Sequence, residues 1–144
     1  MRLKKENSEF MLEQVSIFAE NKKGAMQKIT QVLLQENINI WGSVTNESSE
    51  FGIVRMVVSD PDTARKALEA EGYMVKLTDI MGIEVPDHVG ALDSVLRAIS
   101  DSNINVNYIY LSFNRESAMP VMVLHTDDIW EAEESLKMKG YHLL

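Results

Sequence analysis

The stretch AENKKGAM, residues 19–26, returns sixty-six residues later as VPDHVGAL, residues 85–92. A glycine, a polar residue three places before it and an alanine just after it stand at matching positions, as Asn21, Gly24 and Ala25 and again as Asp87, Gly90 and Ala91. The same offset carries Asn37-Ile38-Asn39 onto Asn103-Ile104-Asn105. Further on the offset becomes 68, which pairs Asp60 with Asp128, Ala64 with Ala132, Leu68 with Leu136 and Gly72-Tyr73 with Gly140-Tyr141. The matches keep one order, and the two extra residues fall in a loop, where a duplicated unit tolerates them.

Each copy reads the same way. EQVSIFA alternates, with Val15 and Ile17 on one face, and predicts a strand. Ala25, Ile29, Val32 and Leu33 recur at helical spacing, as do Ala91, Val95, Ala98 and Ile99. INIWGSVT predicts a second strand, with Ile38, Ile40 and Val44 on one face and Asn39, Trp41 and Ser43 on the other. NESSEFG then turns into a third strand, IVRMVVS. Asp60-Pro61 predicts a helix start, because Asp accepts from free amides and Pro at the first helical position loses no donor. Asp128 with Glu131 has the spacing of a capping box. Gly72 and Gly140 suit helix ends, and YMVKLT and YHLL follow as fourth strands.

The expected fold is α+β: two ferredoxin-like βαββαβ units side by side, forming one eight-stranded antiparallel sheet with the helices on one face. The expected boundaries are a tail at 1–12, a first unit at 13–78 and a second at 79–144. Between Tyr73 and Val85 no proline or polar cluster interrupts the chain, so strand four of the first copy runs almost directly into strand one of the second.

Bulk composition narrows the function. The chain has 144 residues and a net charge of −8. Residues 1–78 carry 10 basic and 11 acidic side chains, and residues 79–144 carry 4 and 11. Nucleic acid is a poor partner for such a surface, since phosphate contacts need clustered Lys and Arg. No cysteine is present, which removes thiol nucleophiles, disulfides and thiolate metal sites. No run approaches the ~18 apolar residues of a membrane span, and a cytoplasmic location is expected. His88, His125 and His142 lack metal-ligand spacing, and no phosphate-binding glycine loop or nucleophile elbow occurs. A non-enzyme without a cofactor is the expectation.

The repeated corner has a chemistry of its own. A loop that ends at a helix N-terminus presents amides with no partner inside the helix, and these suit a carboxylate. Asn21 offers both a donor and an acceptor, and Asp87 could hold an ammonium group. Asn39 and Asn105, fifteen residues past their glycines, add amides. Carboxylate, ammonium and amides describe the backbone of a free amino acid. Elsewhere a glycine before a helix is most often only a turn, and Asn in N-I-N only a loop residue. Trp41 shares a face with Asn39 and would line a pocket or pack at an interface. His88 would read a ligand carboxylate or stand exposed.

These residues, N-K-K-G-A-M followed by N-I-N-I and D-H-V-G-A-L followed by N-I-N-V, resemble the ACT-domain family of regulatory amino-acid-binding modules, over residues 13–144. The resemblance is to small proteins made of two ACT domains. It implies an allosteric sensor that binds an amino acid where ACT domains meet. Carried onto this chain, the implied contacts are Asn21, Lys23, Gly24, Ala25, Asn39 and Trp41, with Asp87, His88, Val89, Gly90, Ala91 and Asn105. Many relatives have Pro before the glycine, where Lys23 and Val89 stand here. Strand two of the second copy, INVNYIYLSF, is apolar on both faces, with Val106, Tyr108 and Tyr110 to one side and Ile109, Leu111 and Phe113 to the other. That pattern predicts a homodimer through the open sheet face, or docking of a biosynthetic enzyme there. The second helices, with Arg65-Lys66 and Glu69 in one copy and Glu133-Glu134 and Lys137 in the other, read as solvated faces.

Overall fold

The computed structural model describes residues 11–47 and 51–144. Phe10, and the tip of the NESSEFG turn, lie outside the described residues. The elements run β1 (Met11–Glu20), α1 (Ala25–Gln35), β2 (Ile40–Glu47), β3 (Phe51–Val58), α2 (Pro61–Ala70), β4 (Met74–Glu84), α3 (Ala91–Asp101), β5 (Val106–Phe113), β6 (Pro120–Thr126) and α4 (Ile129–Met138). Contacts gather the described residues into two compact units, residues 13–78, and residues 79–144 together with 11–12.

In the unit 13–78, β3 pairs antiparallel with both β1 and β2, with Val15 opposite Met56 and Ile17 opposite Val54. One face of these strands carries Val15, Ile17, Val54, Met56 and Val58, and the helices lay Ile29, Leu33, Ala64 and Leu68 against it. Each fully buried Ile or Leu here contributes about 1.5–3 kcal/mol by leaving water. In the unit 79–144, β6 pairs antiparallel with β4 and β5. Its core is the same set moved along by the sequence offsets: Met81, Ile83 and Leu124 under Val95, Ile99, Ala132 and Leu136.

The backbone repeats as closely as the core. Lys22 N–H donates to Glu20 O and Ala25 N–H to Lys22 O, at 3.0 and 3.2 Å, and His88 to Pro86 and Ala91 to His88 do the same. Asn37 and Asn103 both take φ 57°, a left-handed corner that asparagine accepts more readily than most side chains. The helix starts are also as expected. Asp60 accepts from the Thr63 hydroxyl at 2.7 Å and the Thr63 amide at 3.2 Å, with Pro61 at the first helical position. Asp128 accepts from Glu131 N–H at 3.1 Å.

Four expectations need correction. Six strands form among the described residues, not eight. The fourth strand of the first copy and the first strand of the second are one strand, β4, because nothing between Tyr73 and Val85 breaks the extended chain. The expected last strand shrinks to a single bridge, Ile83 with Leu143, flanked by Glu84 N–H to His142 O and Leu144 N–H to Gly82 O.

The second correction concerns faces. β2 slips between Ile40 and Gly42, which oppose the adjacent residues Val58 and Val57, and β5 slips likewise between Val106 and Tyr108. Trp41 and Asn107 are the extra residues of two matching β-bulges, and each bulge reverses the alternation beyond it. Ser43 and Thr45 therefore share the helix-covered face with Ile40, opposite Met56 and Val54, while Val44 lies on the other face, opposite Arg55. In β5, Val106 joins Ile109, Leu111 and Phe113, and Tyr108 and Tyr110 stand apart.

Third, the open face is not a free apolar surface. Tyr110, Ser112, Val121 and Val123 are already buried within the single chain, and the exposed pair, Leu111 and Phe113 at 50 % and 57 %, lies on the helix side. Fourth, Glu133 is buried at 4 % exposure, so that part of α4 is not a solvated face. Arg65 does meet Glu69 at 3.8 Å, as the spacing predicts.

Two measurements check this account. Thr126, where the other unit has Val58, buries a hydroxyl with no hydrogen-bond partner. Thr126→Val should raise unfolding free energy by about 1–2 kcal/mol in urea melts, since the shape is kept and the unsatisfied group is gone. The bonds from the Thr63 hydroxyl and then the Thr63 amide hold the Asp60 carboxyl below the usual carboxylate range. A lowered folded-state value stabilises above about pH 4 and loses its effect as pH falls through that lowered value. Melting temperatures of wild type and Asp60→Asn should therefore differ at neutral pH and converge in acid.

Candidate functional site

β1 delivers the chain into a tight corner, and α1 leaves it at Ala25. Gly24 caps the helix with φ 82° and ψ 1°, and Gly90 caps α3 with φ 87° and ψ −5°. A β-carbon on either would meet nothing within 4 Å. The glycines are thus required by the left-handed backbone and not by crowding. Neither helix start has a side-chain cap. The corner uses one amide internally, Ala25 N–H to Lys22 O, or Ala91 N–H to His88 O. The next amides of the first turn have no partner inside the helix and face outward with the positive end of its dipole.

Beside the corner of the unit 13–78 lies an open recess of about 380 Å³, which brings Asn21, Gly24 and Ala25 together with Met26, Ile29, Thr45 and Val54. The Thr45 hydroxyl points at the Met26 sulfur, 3.8 Å away. Thr45 reaches this wall only because the bulge at Trp41 turns it to the helix side. Its sequence pattern gave no sign of that role. The recess has amide donors at one end and an apolar floor, which suits a carboxylate attached to a small side chain.

The remaining expected residues are placed differently. Lys23 is exposed on the turn, outside the recess lining. Asn39 precedes β2, where its N–H donates to the Ser59 hydroxyl at 2.9 Å and its carbonyl accepts from Ser59 N–H at 3.0 Å. It stands at the far end of α1 from Gly24. Eleven helical residues separate the two ends, roughly 16 Å at 1.5 Å per residue. Trp41 is 37 % exposed at the bulge, also away from the recess. A single unit does not bring Asn39 and Trp41 to its own glycine corner.

In the unit 79–144, Asp87, His88, Val89 and Gly90 are exposed and Ala91 is buried. The His88 ring donates from Nδ1 to Val89 O at 3.1 Å, which fixes the ring on its own turn. Asn105 is engaged: its Nδ2 donates to Asn107 Oδ1 at 3.1 Å. Asn107 Nδ2 then donates to Asp127 Oδ1 at 2.8 Å and reaches His125 Nδ1 at 3.1 Å, and the His125 ring stacks on Tyr108. This chain of polar groups was invisible in the repeat, because its counterparts are Trp41, Val57 and Ser59. Among the described residues, no three His, Asp or Glu side chains gather in a way that could hold a metal ion, and no helix is long and apolar enough to cross a membrane.

Two copies of a βαββα order, each with an uncapped glycine corner before its first helix, define a tandem ferredoxin-like module. The chain belongs to the ACT-domain-pair family, which matches over residues 10–143. It is similar, at 38 % identity and a TM-score of 0.87, to the crystal structure of protein BT0572 from Bacteroides thetaiotaomicron, covering 94 % of this chain and 92 % of that one. It also shares its fold with the regulatory subunit of aspartate kinase from Thermus thermophilus, at 18 % identity and a TM-score of 0.63 over 90 % of both chains. The corresponding subunit from Thermus flavus is similar at 17 % identity and a TM-score of 0.60, over 90 % of this chain and 92 % of that one. No curated protein matches.

The corner makes a direct prediction. Gly24→Ala forces a side chain into φ 82° and should cost about 1–2 kcal/mol of unfolding free energy. Gly24→Asn should cost less, because asparagine tolerates this region. Equal losses for both would show that space, not backbone angle, governs the position.

Proposed function

We propose that the chain is a non-catalytic regulatory protein that senses a free amino acid at its glycine corners. The observation that carries this reading is the recess beside Gly24, where uncapped first-turn amides and Asn21 meet a floor of Met26, Ile29 and Val54. The amides would take the ligand carboxylate, Asn21 its ammonium or carboxylate, and Met26 with Thr45 its side chain. Asp87 in place of Asn21 makes the two corners chemically unequal, so the corner at Gly90 favours a different ligand or none. Asn39, Trp41 and Asn105 enter this reading only as contacts offered to a neighbouring ACT unit. A ligand can bias the protein only through its difference in affinity between two states.

Isothermal calorimetry with each of the twenty amino acids tests the proposal. One chemical group of amino acids should bind with a dissociation constant between about 1 μM and 1 mM. Asn21→Ala should weaken that binding about tenfold, the loss of one hydrogen bond to a charged group. Absence of heat with all twenty would defeat it.

A second reading, a regulatory subunit that docks on a biosynthetic enzyme, is favoured by the exposed Leu111 and Phe113. It also fits the fold shared with regulatory subunits of aspartate kinase. A stoichiometric enzyme partner recovered with wild type and lost with Leu111→Ser/Phe113→Ser distinguishes it.

A further inference from the structure

The two units end their helices alike but satisfy them differently. In the unit 79–144, α3 tightens at its end, where Ser102 N–H donates to Ile99 O rather than to Ala98 O. The Ala98 carbonyl, left without that amide, accepts instead from the Lys139 ammonium at 2.8 Å and from the Ser102 hydroxyl at 3.0 Å. The ammonium also donates to Ser102 Oγ at 3.2 Å. Lys139 closes α4 and folds back across the groove to do this.

In the unit 13–78 the backbone is the same. Glu36 N–H donates to Leu33 O at 3.2 Å, which leaves the Val32 carbonyl in the position of Ala98. Glu71 closes α2 with φ −87° and ψ 3°, against −84° and 3° at Lys139. The side chains are inverted: where the other unit has Lys139 and Ser102, this one has Glu71 and Glu36. Among the described residues no ammonium crosses, and a groove of about 220 Å³ stays open, lined by Lys28, Gln31, Val32, Gln35, Glu71 and Tyr73. It continues into a larger recess of about 460 Å³ that shares Lys28, Glu71 and Tyr73 and adds Phe18 and Met74.

We propose that this groove binds a primary alkylammonium group from outside, in the place Lys139 fills in the other unit. The ammonium donates to the Val32 carbonyl and pairs with the Glu71 carboxylate, a charge-assisted arrangement. A chain of four or five methylenes lies along Val32 and Tyr73. A diamine and the side chain of a basic amino acid both carry this chemistry. A carboxylate at the far end of the latter would lie toward Lys28, in a larger recess that also holds the Lys22–Glu20 ion pair at 3.1 Å. The ammonium end of the site lies near the end of α1, while the larger recess reaches back to Lys22 and Ala25 beside the Gly24 corner; the ammonium contacts do not depend on the amino-acid reading above. The equivalent groove in the unit 79–144 is occupied by its own chain.

Amide-resolved NMR titration of the full chain with pentylammonium chloride, against tetramethylammonium chloride at equal ionic strength, tests this. Saturable shifts are expected at Leu33, Glu36, Gly72 and Tyr73 in about the millimolar range, with none at Ile99, Ser102, Gly140 and Tyr141. Glu71→Lys should abolish them and raise the melting temperature, since the groove then fills itself. Lys139→Ala should create matching shifts at Ser102 and Gly140. Titrations with lysine and with 1,5-diaminopentane then show which source binds more tightly. Failure to saturate by about 50 mM, beyond the expected range, overturns the proposal. So do equal shifts with tetramethylammonium, or binding unchanged by Glu71→Lys.

Discussion

Everything at the head of α1 and α3 depends on one backbone constraint, the positive φ of Gly24 and Gly90. That angle lets the chain leave a strand and enter a helix after four residues at α1 and six at α3, with one amide of the first turn tied back to the corner. An ordinary cap would spend a serine or aspartate side chain on the remaining amides, as Asp60 and Asp128 do at α2 and α4. Glycine has no side chain to spend. The same unit therefore contains two kinds of helix start, one capped by a side chain and one with no side-chain cap.

The repeated architecture was legible because its determinants are local. Helical spacing at Ile29 and Leu33 or Val95 and Ile99, the Asp-Pro start at 60–61 and the recurrent glycines all act within a few residues. The bulges at Trp41 and Asn107 were not legible. An extra residue in a strand leaves no mark in composition, and its position shows only against the partner strand. The strand count failed for a related reason. Whether an extended stretch such as Met74–Glu84 is one strand or two depends on its neighbours, not on its own residues.

The candidate site was legible by half. Asn21, Gly24 and Ala25 are consecutive enough for sequence to place them together, and they share a recess. Thr45 and Val54 complete that wall from strands that sequence could not orient. Asn39 has suitable chemistry and recurs in the repeat, but the rise of α1 carries it to the other end of the unit. The Asn107–His125–Asp127 chain and the exchange of Glu71 for Lys139 are differences between the copies, and a search for matches passes over them.

The paired bulges also set where these strands can change length. Removing Trp41 alone would leave Ile40 opposite Val58 and Gly42 opposite Val57, with every later partner unchanged. Losing any residue from Ser43 onward would turn the rest of the strand inside out. Within each copy, one residue is thus a spacer that the ladder does not count, and the duplication has kept that slack at the same point in both.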